Sequence, residues 1–257
     1  MPSFSVIIAT HRRPALLARA IRSVQCQAFA DATLIVVSDT ACAATAAVAR
    51  AHLSDRDVFI ERGGAPGPAL SRNFGLAAVR SDLVMFLDDD DEHCPGFLRE
   101  ADAAARMGDA GLLFCDFAVV GDAEDRCAGT AAACAPVMLR DRDPQDVHLR
   151  NFIPNSALVF PADAVRGRMF DETLILNEDW DFLLNAMQDH ELRYFPMFGP
   201  MIHKTDRSKG DRRGAVNDHL LPDNLRTIYR KWPAPTAALR AARQLLFADA
   251  GLEAESL

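Results

Sequence analysis

The chain has 257 residues, 49% of them hydrophobic and 25% charged, the proportions of a folded globular protein, so disordered and fibrous classes are excluded. Lys and Arg total 28 against 36 Asp and Glu, a formal net charge of −8, which argues against nucleic acid or an anionic bilayer as a partner of the whole surface. Met1-Pro2-Ser3 runs straight into an apolar stretch without the features of a signal peptide, and no run approaches the roughly 18 apolar residues of a membrane span, so a cytoplasmic location is expected.

The first hundred residues alternate short β-rich runs with longer amphipathic stretches, the pattern of βαβ units feeding a parallel sheet. Ser5 to Ala9 reads as the first strand, followed by a helix that opens near Pro14 and carries Leu16, Leu17, Ala20, Ile21 and Val24 at helical spacing. Thr33 to Val37 is the second strand, about Ala41 to Ala51 an alanine-rich helix, and Asp57 to Glu61 a short strand. A turn, Gly63-Gly64-Ala65-Pro66-Gly67, precedes a helix over about Pro68 to Val79. Leu83 to Leu87 is then a fully apolar strand of central character.

A helix is predicted over about Gly96 to Arg106 and a strand over Gly111 to Val120. Residues 121–150 mix turn residues and charge and read as a loop and a mobile segment. Ala157 to Phe160 reads as a strand, about Trp180 to Gln188 as a helix, and Leu192 to Phe195 and Pro200 to His203 as separate strand-like pieces. From Asp218 the pattern is helical, punctuated by Pro233-Ala234-Pro235, with a last helix over about Thr236 to Ala248. Its apolar residues, among them Leu225, Ile228, Tyr229, Trp232 and Phe247, are expected to pack on the core; a homodimer contact or peripheral membrane docking is the alternative use. The cysteines at 26, 42, 94, 115, 127 and 134 lack C-x-x-C spacing and read as reduced thiols, with Cys127 and Cys134 near enough in sequence to pair under oxidation.

Chemistry concentrates in two places. Asp88-Asp89-Asp90-Asp91-Glu92 follows the apolar strand directly, and such crowded carboxylates repel one another unless a cation compensates them. Oxygen-rich clusters suit Mg2+ or Mn2+ carrying a substrate's phosphates, and open α/β sheets bind ligands at the carboxyl ends of their strands. The second place is Asn177-Glu178-Asp179-Trp180-Asp181, acids at a helix start that serve equally as dipole partners or as a general base. Asp39 after the second strand, Arg72-Asn73 after the glycine-rich turn, and His203 at a strand end are weaker candidates alone.

In order, Val6 to Pro14, Ile35 to Asp39, Gly67 to Gly75, Phe86 to Asp91 and Asn177 to Asp181 resemble the inverting family-two glycosyltransferases of the GT-A fold, over roughly residues 4–205. The resemblance implies an α/β GT-A architecture with a mostly parallel central sheet flanked by helices. Residues 1–106 would form the nucleotide-sugar half, 107–205 the acceptor half, and 206–257 a basic loop and C-terminal helices packed on the core. It implies a nucleoside-diphosphate sugar donor, a UDP-sugar first, and a glycan, lipid-linked or small-molecule acceptor. Thr10, His11, Arg12, Asp39, Arg72, Asp88 and Asp89 would hold the donor nucleotide. Asp90, with Asp88 and His203, would ligate Mn2+ or Mg2+; Asp179 would be the catalytic base, and Glu178 and Trp180 would shape the sugar and acceptor pocket. The basic tract from Lys204 through Arg213 reads equally as a lid over the diphosphate or as a solvated basic loop.

Two departures leave the nucleotide base open. The first strand ends Ala9-Thr10-His11-Arg12, where the family usually has proline before the threonine and an aromatic then Asn after it. The second ends Val37-Ser38-Asp39-Thr40 rather than in paired aspartates. A binding protein that has lost turnover, a nucleotidyltransferase and a metal-dependent hydrolase are the alternatives. The nucleotidyltransferase lacks its glycine-rich phosphate loop at Thr10 to Pro14, and the hydrolase its clustered histidines.

Overall fold

The computed structural model describes residues 3–27, 29, 31–108, 111–121, 134–203 and 221–249. The apolar runs of the N-terminal half become β1 (Phe4–Thr10), β2 (Ala32–Ser38), β3 (Val58–Glu61) and β4 (Leu83–Asp88). Between them lie α1 (Pro14–Gln25), α2 (Ala43–His52) and α3 (Pro68–Ala78). Pro14 and Pro68 sit in the first turns of α1 and α3, where a missing N–H costs nothing. Leu17, Ala20, Ile21 and Val24 form the buried stripe of α1. Gly75 lets α3 lie close over β1, because a Cβ there would stand 2.5 Å from Ile7 Cγ2.

The chain continues through β5 (Glu92–His93), α4 (Phe97–Arg106), β6 (Leu112–Val120), β7 (Cys134–Val137), β8 (Leu158–Pro161), α5 (Ala162–Val165), α6 (Glu178–Ala186), β9 (Leu192–His203), α7 (Leu221–Lys231) and α8 (Ala237–Asp249). The nine-stranded sheet has the order β3-β2-β1-β4-β8-β6-β9-β5, with β7 on β6. Its β3-β2-β1-β4 part is parallel, as βαβ crossovers require. The remainder is mixed: β8 runs antiparallel to β4 and β6, whereas β9 runs parallel to β6. The mostly parallel character expected for the sheet thus belongs to its N-terminal half.

The structure departs from the expected elements in particular places. Leu192 to Phe195 and Pro200 to His203 are one strand, β9, because Pro196, Gly199 and Pro200 are absorbed where its register against β6 shifts. Gly199 is required there, since a Cβ would meet Cys115 Sγ at 2.5 Å and the Phe97 ring at 2.7 Å. Strands β5 and β7 were not expected. Residues 204–213, read as a lid or a solvated basic loop, and Cys127 lie outside the described residues.

An aromatic cluster fastens α6 to the sheet. Phe86 on β4 meets Phe160, Phe170 and Phe182 edge-on, and Phe170 stacks on Phe182 with centroids 4.1 Å apart. From the other side α7 and α8 bring Ile228, Tyr229 and Phe247 into the same core. Polar contacts fix that packing: Tyr229 donates to the Leu149 carbonyl at 2.6 Å, and the buried Arg243 donates to the carbonyls of His148 and Trp232 at 2.8 Å. Arg243 also lies over the Tyr229 ring at 4.0 Å.

Asp181, on the first turn of α6 and 1% exposed, accepts from Lys231 Nζ and Trp232 Nε1, each at 2.8 Å. Burial disfavours the Lys231 charge, but the hydrogen bonds to Asp181 and Asp171 outweigh it and hold the ammonium above its ordinary value. Lys231→Met removes the cation from this buried carboxylate, leaving it the Trp232 bond alone, and is expected to lower unfolding stability in urea by about 2–3 kcal/mol. Arg99→Gln, which breaks an exposed pair with Glu100, should cost less than about 0.5 kcal/mol.

Candidate functional site

The carboxyl ends of β1, β2 and β4 open into a cleft of about 630 Å³ lined by Thr10, His11, Arg13, Asp39, the 65–71 turn, Asp88 to Asp91, Glu172, Leu174, Ile175, Ile202 and His203. This is the crevice an open α/β sheet offers a ligand. Three groups of residues build it.

The first holds Asp39. The buried carboxylate meets His11 Nδ1 at 2.5 Å through one oxygen and accepts from the Gly67 N–H at 3.1 Å through the other. Arg62, itself buried, organises the turn that supplies Gly67, donating to the Gly67 carbonyl and to Ser71 Oγ, both at 2.8 Å, and to the Ala65 carbonyl at 2.9 Å. Arg12, expected beside His11, is exposed and absent from the cleft wall. Its φ of 49° reverses the chain after His11 and carries its side chain outward.

The second is the acidic run, which divides by direction. Asp88, Asp90 and Asp91 each bring a carboxylate oxygen to within 4.8 Å of the others. Asp89, expected beside them on the nucleotide, is turned toward the β1–α1 loop, accepting from Thr10 Oγ1 at 2.7 Å and Arg13 at 3.2 Å. Burial pushes the Asp89 carboxyl up to about 6, against the pull of Thr10 and Arg13. Asp91, 4% exposed, accepts from the His203 N–H and Ser156 Oγ, both at 3.1 Å. Burial and the neighbouring Asp88 and Asp90 charges drive its carboxyl well above the ordinary range. This is the electrostatic condition a cation relieves, and hard carboxylate oxygens fit Mg2+ or Mn2+. The His203 imidazole, expected on the metal, lies 2.8 Å from Glu92 Oε1, and its backbone N–H donates to Asp91 Oδ1 at 3.1 Å.

The third is Arg72 with the first turn of α6. Arg72 is 2% exposed and donates to Asp88 Oδ1 at 2.8 Å and to Glu178 Oε1 at 2.9 Å, with its guanidinium 5.3 Å over the Phe170 ring. Burial opposes the charge, but Asp88, Glu178 and Asp179 outweigh it and hold the group protonated. Asn177, in the left-handed region at φ 63°, starts the helix, and Glu178, Asp179 and Asp181 fill its first turn, where acids complement the dipole. Glu178 is a buried partner of Arg72, and Asp179 is half-buried beside it. Trp180, expected in the sugar pocket, faces the core instead. The helix begins at Glu178 rather than at Trp180, which turns the indole inward to donate to the Val147 carbonyl at 2.8 Å and meet Tyr229 edge-on.

Arg13, Arg19 and Arg62 were missed as site residues. Arg13 donates to Asp90 Oδ2 at 2.8 Å, and Arg19 reaches the Asp90 carbonyl and stands 3.4 Å from Glu92. The available signal was their position: Arg13 closes the β1–α1 loop, and Arg62 precedes Gly63-Gly64.

The family model described as Glycosyl transferase family 2 matches residues 5–158, more than half of the chain. A Campylobacter jejuni protein named GalNAc(5)-diNAcBac-PP-undecaprenol beta-1,3-glucosyltransferase is 39% identical over 101 residues, 38% of this chain and 33% of that protein. Among solved structures, S. aureus TarS 1–349 in complex with UDP-GlcNAc superposes with a TM-score of 0.72 at 17% identity, covering 95% of this chain and 71% of that one. Another TarS structure gives 0.67 at 17% identity, with 96% of this chain and 53% of that one covered. The structural likeness establishes a shared fold.

Directly after the acidic run, His93 is buried against Phe97, with neither ring nitrogen hydrogen-bonded among the described residues. Burial lowers its pKa from 6.5 to about 3. Its folded value lies below its unfolded one, so the stability it allows is complete above pH 6.5 and is lost as pH falls. Urea unfolding should show the wild type losing about 2 kcal/mol more than His93→Phe between pH 7 and pH 5. Equal losses would contradict the neutral assignment.

Proposed function

We propose that this chain, which belongs to glycosyl transferase family 2, is a glycosyltransferase that moves a sugar from a nucleoside-diphosphate sugar to a hydroxyl of a lipid-linked glycan, inverting the anomeric carbon. The observation that carries this reading is the Arg72 bridge. A single buried guanidinium joins Asp88, at the end of the donor-side strand, to Glu178, beside Asp179. A UDP-sugar is the first donor to consider, in keeping with the UDP-GlcNAc complex of TarS. A polyprenyl-diphosphate-linked acceptor is in keeping with the name of the Campylobacter relative.

On this reading the nucleoside lies against His11, Asp39 and the Gly67 turn, with the diphosphate toward Asp88, Asp90 and Asp91. Those three carboxylates would hold Mn2+ or Mg2+, which offsets the charge that develops on the departing nucleoside diphosphate. Asp179 accepts the proton of the acceptor hydroxyl while that oxygen bonds to the anomeric carbon and the carbon–phosphate-oxygen bond breaks on the opposite face. Glu178, paired with Arg72, fixes the turn that presents Asp179. Among the described residues no helix is long and apolar enough to cross a membrane.

The test is a transfer assay with UDP-sugars and a polyprenyl-diphosphate-linked glycan, the product's anomeric configuration being read by NMR. Inversion is expected. Asp179→Asn should cut transfer by roughly 10²–10⁴-fold with donor affinity nearly intact, whereas Asp90→Ala should weaken Mn2+-dependent nucleotide binding measured by calorimetry. Equal transfer by wild type and Asp179→Asn would remove Asp179 from the role of base. Nucleotide binding without transfer to any acceptor would favour a binding protein of the same fold.

A further inference from the structure

Arg13 stands where a cation on the acidic cluster would compete with it. Its Nη1 lies 2.8 Å from Asp90 Oδ2 and 3.2 Å from Asp89 Oδ1. Asp90 is also one of the three carboxylates gathered within 4.8 Å. The same acid therefore faces a guanidinium on one side and the place of a divalent ion on the other.

The arginines on this run differ in their freedom to move. Arg72 is 2% exposed and tied to acids on both of its terminal nitrogens, so it has no route out. The Arg13 side chain is 27% exposed at the wall of the cleft. Its backbone is fixed by Pro14 at the start of α1, which leaves the long side chain as the movable part. The charge that Asp90 loses when Arg13 leaves has to be replaced, and Arg13 gives up its shorter ion pair unless another anion takes the place of Asp90. A donor diphosphate in the cleft supplies that anion, and its accompanying divalent cation supplies the replacement.

We propose that Arg13 is a counterion switch: it neutralises Asp90 while the cleft holds no donor and passes to the diphosphate when donor and metal arrive together. The inference rests on the donor-site reading above. Its consequence is thermodynamic coupling. Mn2+ alone must displace Arg13 from its shorter contact, the one with Asp90, whereas Mn2+ with nucleotide replaces that contact by one with the diphosphate, so metal and nucleotide reinforce each other's binding, reciprocally.

The experiment measures Mn2+ affinity by the EPR signal of the free ion, with and without saturating UDP, in wild type, Arg13→Gln, Arg13→Met and Arg13→Lys. Loss of the guanidinium in R13Q or R13M should strengthen binding of Mn2+ alone by about tenfold and shrink the UDP-induced enhancement by a similar factor. R13K, which keeps a cation at the position, should retain most of the wild-type enhancement. An unchanged enhancement in whichever of R13Q and R13M melts with the wild type would overturn the proposal while leaving the donor site standing. If wild type binds no Mn2+ with UDP, GDP, CDP or dTDP, the donor-site reading fails, and the switch with it.

Discussion

A buried guanidinium needs anions, and the anions available to Arg72 lie on two elements far apart in the chain. Asp88 ends the apolar strand β4, and Glu178 opens α6; Arg72 sits between them on α3 with almost no exposure to water. Burying Arg72 or Glu178 alone would be prohibitively costly, so these two require each other, and the more exposed Asp88 supplies the guanidinium with its second anion. The Phe86, Phe160, Phe170 and Phe182 cluster beneath them keeps the medium apolar, which strengthens the attraction and raises the penalty for losing a partner. The result is a fixed relation between the end of β4 and the first turn of α6, the two places where this chain concentrates its acids.

The rest of the site extends that charge balance. Arg13 and Arg19 serve Asp90 and Glu92, and His203 and Ser156 serve Asp91, so most of the run is compensated from outside the run. The compensation is incomplete at Asp91, whose carboxyl is forced upward by burial and by Asp88 and Asp90. A site whose acids are partly neutralised by its own cations, and partly left for an arriving one, suits a ligand that brings negative phosphates and a metal together. The latch of Lys231 and Trp232 on Asp181 ties the C-terminal helices to the same turn of α6, so that turn is braced from the sheet side and from the outside.

Much of the N-terminal half was legible because its signals are local. The apolar runs of β1, β2 and β4, the helical stripe of α1 and the prolines at 14 and 68 each act within a few residues. The carboxylates were legible as types but not as directions. Asp91, which had no role of its own in the sequence, joins Asp88 and Asp90 while Asp89 turns away, because side-chain direction after the strand end depends on Thr10, Arg13 and Ser156, which are distant in sequence. Trp180, given a pocket role only by the family resemblance, faces the core because its partners Val147 and Tyr229 lie far away in the chain. Strand β9 was divided in reading because proline and glycine signal breaks locally, and only its long pairing with β6 carries the strand across them. The arginine partners were invisible for the same reason: Arg72 and Glu178 are 106 positions apart.

The account stands or falls on where a divalent ion and a nucleotide bind. Crystals grown with UDP and Mn2+ and measured at the manganese absorption edge locate both in one experiment. The account predicts an anomalous peak among Asp88, Asp90 and Asp91, a nucleoside between His11, Asp39 and the Gly67 turn, and Arg72 still joined to Glu178. Bound UDP with the manganese elsewhere, or a nucleotide outside the cleft, would contradict it.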